Sequence, residues 1–180
     1  MQQELWIDTI ASPLGDIMIV TNEQQIHAID FADCADRMTR SLTKRLGPVQ
    51  LRPSSNPLGA SDCLQAYLAG ELTALDAIAL APGGTPFQQT VWQALRTIPP
   101  GTTRTYQQLA TQIGQPNACR AVGLANAQNP IAIAIPCHRV IGSTGALTGY
   151  AGGIQRKQWL LHHEGIERET PTPAAQLTLF

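Results

Sequence analysis

No apolar run in this sequence approaches the length of a membrane span, and its start, Met1-Gln2-Gln3-Glu4, has neither the basic residues nor the apolar core of a secretory signal. A membrane protein and an exported one are both disfavoured, and a cytoplasmic location with reduced thiols is expected. The four cysteines, Cys34, Cys63, Cys119 and Cys137, form no CxxC pair and no zinc-like spacing. Neither a disulfide framework nor a metal site is therefore expected. The first half carries no phosphate loop and no nucleophile beside a base, so it reads as scaffold.

What is present starts with composition. At 180 residues and 43% hydrophobic content, the chain can build one ordinary core or two small ones. Its net charge of −1 hides an asymmetry: residues 1–85 carry five Lys or Arg against ten Asp or Glu, whereas residues 86–165 carry six against one. The six are Arg96, Arg104, Arg120, Arg139, Arg156 and Lys157, a cationic segment that suits a polyanion.

Period-two alternation over residues 5–10, 16–20 and 25–31, with turns at Ser12-Pro13-Leu14-Gly15 and at 22–24, predicts an antiparallel meander. Helices are expected at 35–46 and 61–69, then a short strand at 77–80. The Pro- and Gly-rich segment that follows reads as a linker over 81–85. These features place an α/β domain over 1–80. Beyond the linker, Thr85 as N-cap, Pro86 at the first helical position, and Phe87, Val91, Leu95 and Ile98 on one face predict an amphipathic helix. A second helix is expected at 106–113, ended by Gly114. A third, at 118–127, is rich in Ala and Gly around Arg120. Three short helices with tight turns resemble a helix-turn-helix whose last helix approaches DNA. An apolar strand at 131–135, a glycine-rich stretch at 142–153 and a last helix at 154–163 complete a domain over 86–165. Residues 166–180 are expected to form a flexible tail.

The chemistry centres on Ile135-Pro136-Cys137-His138-Arg139-Val140-Ile141-Gly142, which puts a sulfur nucleophile beside a base. A thiol attacks only as its thiolate and needs a neighbouring His, a cation or a helix N-terminus. Adjacent residues on a strand point to opposite faces, so His138 can serve Cys137 only at a turn or through a water. The dipeptide alone leaves a buried structural cysteine open.

Its surroundings narrow the choice. Pro86-Phe87-Gln88-Gln89-Thr90-Val91-Trp92, Thr105-Tyr106-Gln107-Gln108-Leu109-Ala110, Arg120-Ala121-Val122-Gly123, Asn129-Pro130, the octet, Gly149-Tyr150-Ala151-Gly152-Gly153 and Arg156-Lys157-Gln158-Trp159-Leu160-Leu161 with Glu164 agree in order and spacing over about residues 85–165. In these motifs the sequence resembles the O6-alkylguanine-DNA alkyltransferase family, of the bacterial constitutive type. The first half matches more weakly, through residues 64–72. The resemblance implies a ribonuclease-H-like α/β N-terminal domain and a mainly α, winged-helix-like C-terminal domain. It implies direct-reversal DNA repair: the alkyl group of O6-alkylguanine, or less readily O4-alkylthymine, in double-stranded DNA passes to Cys137 once, without turnover or cofactor.

By the same resemblance, His138 takes the Cys137 proton through a water, Glu164 orients and charges His138, and Asn129 holds the turn. The base must be flipped out of the duplex. Arg120 would fill the vacated stack from the minor groove, with Ala121 and Gly123 permitting close entry. Tyr106 would press on the flipped nucleotide's phosphate and donate to the purine ring. Val140, Tyr150, Ala151 and Gly152 would line the pocket, with Gly152 leaving space. Lys157 lies nearby, in an electrostatic or structural role or as a plain surface residue. Ala151 stands where several relatives have Ser. Some relatives bind zinc in the N-terminal region, and no such ligand set is visible here.

A non-catalytic alkyl-lesion binder of the same fold, an alkylation-sensing regulator and a Cys-His hydrolase remain as alternatives; the lesion binders lack the acceptor cysteine. The chain is expected to be a monomer. Finally, Gln176-Leu177-Thr178-Leu179-Phe180, after a Pro-rich spacer, resembles the peptide by which bacterial DNA-handling proteins dock on the replication sliding clamp. Two leucines and a phenylalanine on a tether call for a partner, either that clamp or the chain's own domain.

Overall fold

A computed structural model describes residues 3–167. Strands β1 (Gln3–Ile10), β2 (Ile17–Thr21) and β3 (Ile26–Phe31) form the expected antiparallel meander. Its first turn is closed by Ser12, whose hydroxyl donates to the Gly15 carbonyl at 2.5 Å. Its second is closed by Asn22, whose side-chain oxygen accepts from the Gln24 and Gln25 amides at 2.8 Å. A fourth strand, β4 (Val49–Pro53), pairs in parallel with β1 and makes the sheet mixed, in the order β3-β2-β1-β4. The sequence reading had no strand there, because the segment is short and half of it faces solvent.

Every residue of β2 and β3 is buried, on both faces of the sheet. One face is covered by helix α1 (Ala35–Leu46), where Met38 and Leu42 meet Leu5, Met18, Val20 and Ala28. The other face turns Ile17, Ile19, Ile29 and Phe31 toward the C-terminal half, and they share one apolar cluster with Trp92, Leu95, Val122, Val140 and Leu160. Helix α2 (Ala60–Leu68) adds Leu64 and Tyr67 to that cluster.

In the second half, α3 (Pro86–Arg96) and α4 (Tyr106–Gln112) both begin with a complete capping box, Thr85 with Gln88 and Thr105 with Gln108. Each box satisfies two amides that a helix start otherwise leaves open. Helix α5 (Cys119–Ala127) and helix α6 (Ile154–His163) follow as expected. A small parallel pair, β5 (Arg104–Thr105) with β6 (Val140–Ile141), ties the octet to the start of α4. Mainly helical, this half fits the winged-helix-like expectation.

Two expected strands are absent. Residues 77–80 form turns, and Leu80 alone bridges to Ile26; residues 131–135 coil into a tight turn, and Ile131 alone bridges to Ile29. In the second turn Ile133 takes a φ of 71° and the Ile135 amide donates to the Ile131 carbonyl at 3.0 Å. Both segments are apolar because they cover the open edge of β3, not because they extend it. A short apolar run does not reveal by periodicity which of the two it will do.

Candidate active site

Cys137 opens a 3-10 turn, Cys137–Arg139, directly after that coil. The turn resolves the geometric problem of adjacent nucleophile and base, since neither residue lies in an extended strand. Asn129 sets its position: the side-chain amide donates to the Ile135 carbonyl at 2.8 Å and to Cys137 Sγ at 3.1 Å, while its oxygen accepts from the Ile131 amide at 3.0 Å. Asn126, buried on α5, donates to the Cys137 carbonyl at 3.4 Å. Cys137 is 6% exposed, at a pocket of about 300 Å³ lined also by Tyr106, Gly123, Asn126, Tyr150 and Ala151. Asn126 Oδ1 and the Tyr150 hydroxyl are buried there with no hydrogen-bond partner among the described residues.

Behind the sulfur sits a buried polar cluster. His138 Nε2 lies 2.8 Å from Glu164 Oε1, and the same oxygen accepts from Arg139 Nη2 at 2.8 Å and from the Tyr67 hydroxyl at 2.7 Å. Arg139 Nε donates to Glu164 Oε2 at 2.9 Å, and Nη1 to the Ile98 carbonyl at 2.5 Å. Burial opposes the Glu164 charge, but hydrogen bonds from His138 and Arg139, together with the Arg139 charge, hold its carboxyl well below the usual range. Desolvation lowers the His138 pKa more than Glu164 raises it. That direction favours the neutral imidazole at rest, while the bond to Glu164 pulls toward the charged form. With Nε2 bound to the carboxylate, Nδ1 is the basic atom, and it has no partner among the described residues. Burial also raises the Cys137 pKa, and Asn129 and the charge of Lys157 only partly offset this. The resting pair is a thiol beside a neutral base.

Lys157 is fully buried, which removes the surface reading. Its ammonium donates to the carbonyls of Val140 at 2.6 Å and Thr148 at 3.0 Å. Tyr106 donates to the same Thr148 carbonyl at 3.3 Å, so the glycine-rich stretch is held from both sides. Burial raises the Tyr106 pKa and keeps its phenol a donor. Gly152 differs from expectation. A Cβ there would lie 2.6 Å from Phe31 and 2.8 Å from the Tyr150 ring, so this glycine permits close packing and leaves no room in the pocket.

Arg120 and Ala121 are exposed on α5, while Val122, Ala125 and Asn126 face inward. Leu124, one turn beyond Arg120, is 61% exposed. The cationic surface is thinner than the charge count suggests: Arg139 and Lys157 are buried, and Arg156 is turned to Asp33 at 3.0 Å and the Leu14 carbonyl at 2.9 Å. Arg96, Arg104 and Arg120 remain exposed. Sequence reasoning missed Tyr67, Asn126 and the pairing of Arg139 with Glu164. It also missed Arg37, which donates from α1 to the Ala151 carbonyl. Gln176, Leu177, Leu179 and Phe180 lie outside the described residues. Among the described residues no group of three His, Cys, Asp or Glu could hold a metal, and no helix is long and apolar enough to cross a membrane.

Comparison with known proteins gives the family and the fold. Residues 86–166 match a family model described as 6-O-methylguanine DNA methyltransferase, DNA binding domain, and residues 6–82 match one described as 6-O-methylguanine DNA methyltransferase, ribonuclease-like domain. A methylated-DNA–protein-cysteine methyltransferase of Salmonella typhimurium is 52% identical over 161 residues, 88% of this chain and 94% of that protein. One from Mycolicibacterium paratuberculosis is 59% identical over 175 residues, 96% of both. Among solved structures, the Mycobacterium tuberculosis O6-methylguanine methyltransferase superposes with a TM-score of 0.76 at 43% identity, covering 89% of this chain and 92% of that one. The OGT of the same organism in complex with DNA gives 0.75 at 44% identity and the same coverage.

Proposed function

The chain belongs to the 6-O-methylguanine DNA methyltransferase family, whose members act in direct-reversal DNA repair, and from that premise we propose that Cys137 is the single-use acceptor for the alkyl group of O6-alkylguanine in duplex DNA. One observation carries this reading: an enclosed thiol at a base-sized pocket, held by Asn129 and followed by His138, whose Nδ1 has no partner among the described residues. A water between sulfur and Nδ1 would relay the thiol proton to the imidazole. The Glu164 carboxylate stabilises the imidazolium so formed. The thiolate attacks the alkyl carbon, the S–C bond forms as the C–O6 bond breaks, and the electron pair leaves on the guanine. Tyr106, exchanging the Thr148 carbonyl for the purine ring as its acceptor, would donate to the base and lower the cost of that leaving group.

The lesion base has to leave the stack, at a few kcal/mol. Arg120, exposed on α5, would fill the gap, with Ala121 and Gly123 beside it and Leu124 adding an apolar contact in the groove. Tyr150 and Ala151 face O6 from the pocket wall, and the Val140 carbonyl, already bound by Lys157, keeps a second lone pair for the guanine amino group. Gly152 and Lys157 act through the loop they pack. O4-alkylthymine is the poorer substrate. The protein acts as a cytoplasmic monomer.

The test is mass spectrometry after incubation with duplex DNA bearing O6-methylguanine. A gain of one methylene at Cys137, stopping at one per molecule, is expected. Tight lesion binding with no change in mass overturns the reading and favours a non-catalytic lesion binder. The Gln176-Leu177-Thr178-Leu179-Phe180 peptide carries a further part of the proposal, docking on the replication sliding clamp. Full-length protein should retain purified clamp, and a chain ending at Ala175 should not; equal retention removes the docking idea.

A further inference from the structure

Of the five Lys and Arg residues in 1–85, four lie on α1: Arg37, Arg40, Lys44 and Arg45. All four line one groove of about 590 Å³ between α1 and the C-terminal half, closed on the far side by the start of α3 and by the segment after α5. Of the ten acidic residues in the same region, only Asp30 reaches this groove, and Arg37 neutralises it through bonds of 3.0 and 2.5 Å. Arg45 is spent on the carbonyls of Pro82 at 2.9 Å and His27 at 3.0 Å. These two guanidinium groups hold the groove together. Arg40 and Lys44, four residues apart and exposed, make no ion pair or hydrogen bond with any described residue. An acidic domain has thus gathered its unspent positive charge at one place.

That place adjoins the active site. Ala127 lines both the groove and the pocket, Asn129 lines the groove while donating to Cys137 Sγ, and Arg37 reaches the Ala151 carbonyl at the pocket wall. A nucleotide flipped into the pocket leaves its own strand at the mouth. We infer that the groove takes the phosphodiester backbone of that strand, with Arg40 and Lys44 each facing one phosphate, so that the N-terminal domain is a second DNA contact. The inference rests on the base-flipping reading above. Thr85, Gln88 and Gln128 supply uncharged polar groups on the opposite wall, and a polyanion is the occupant that fits this charge pattern.

The measurement is the salt dependence of binding by the full-length protein to a duplex bearing O6-methylguanine. Each phosphate contact contributes about 0.9 to the slope of log K against log salt, so Arg40→Ala combined with Lys44→Ala should flatten it by about 1.8. Arg52→Ala is the control, since Arg52 pairs with Glu4 on the sheet and does not line the groove; its slope should stay at the wild-type value. Alkyl transfer from the free O6-methylguanine nucleoside, too small to span the groove, should be equal in all variants. An unchanged slope in the double variant overturns the inference, as does equal flattening in the Arg52 variant, which would mean a general field. Absence of nucleoside transfer to wild-type protein over long incubation, with transfer from duplex also absent, would instead strike the alkyl-transfer reading and leave the slope to judge the groove.

Discussion

One carboxylate oxygen, Glu164 Oε1, accepts from three donors on three different residues. Removing a member of such a buried cluster leaves charge unpaired, so Glu164→Ala should destabilise the fold by about 3–5 kcal/mol, read as a fall in denaturant midpoint. Tyr67→Phe removes one hydrogen bond to a charged group and should cost about 1.5–3 kcal/mol. Asn129→Ala deprives the developing thiolate of its donor. On the same scale it should slow transfer by about tenfold to a hundredfold in single-turnover assays, with duplex binding retained. The cluster also fixes the response to acid. His138 and Glu164 both have folded pKa values below their unfolded ones. The unfolded chain therefore binds more protons, and stability should be full above the unfolded His value of about 6.5, fall as pH drops through it, and fall again below about 4.3 as unfolded Glu protonates. Thermal midpoints measured from neutral pH to about 4 check this; a midpoint that rises on acidification contradicts it. Cys137 and His138 were legible in the sequence as a contiguous pair, and Glu164, 26 residues beyond His138, through the family resemblance. Tyr67 was not: it is 97 residues from Glu164, and no local pattern marks a pairing that exists only after the halves pack.

Helices and loops differ in how much their glycines matter. At Gly123 on α5 a Cβ would meet the Tyr106 ring at 3.8 Å, an ordinary contact, so Gly123→Ala should fold as well as the parent or better, given the helix preference for alanine of about 1 kcal/mol. At Gly152 the same atom would lie 2.6 Å from Phe31, and Gly152→Ala should cost about 1–3 kcal/mol of overpacking and disturb the Tyr150–Ala151 wall. Paired denaturation curves separate the two, and equal midpoints would contradict both arguments. The elements with chemical punctuation were readable in advance: Thr85 and Pro86 announce α3, and Gly114 closes α4, while the capping boxes of both emerge only in the structure. Residues 131–135 were not. Their apolar side chains obey burial alone, and the positive φ of Ile133 is imposed by the coil that delivers Cys137.

At the scale of the molecule, the sheet and the helical half bury one shared apolar cluster. Arg156 stacks on Phe31 at 4.1 Å while bonding Asp33, and His163 lies 2.7 Å from the Tyr67 carbonyl. Calorimetry should accordingly show one unfolding transition, with calorimetric and van't Hoff enthalpies equal; two separated transitions would mean independent domains. The division of labour read from the sequence, scaffold first and chemistry second, is not clean, because Tyr67 of the first half bonds Glu164 of the second. The order in which the chain is made gives that bond a further meaning. Tyr67 is synthesised long before Cys137, and Glu164 well after it, so the imidazole has no anchoring carboxylate until α6 has docked. An unfinished or unfolded chain carries an ordinary thiol, and the sulfur gains its Asn129 donor and an anchored imidazole neighbour only in a molecule whose assembly is complete.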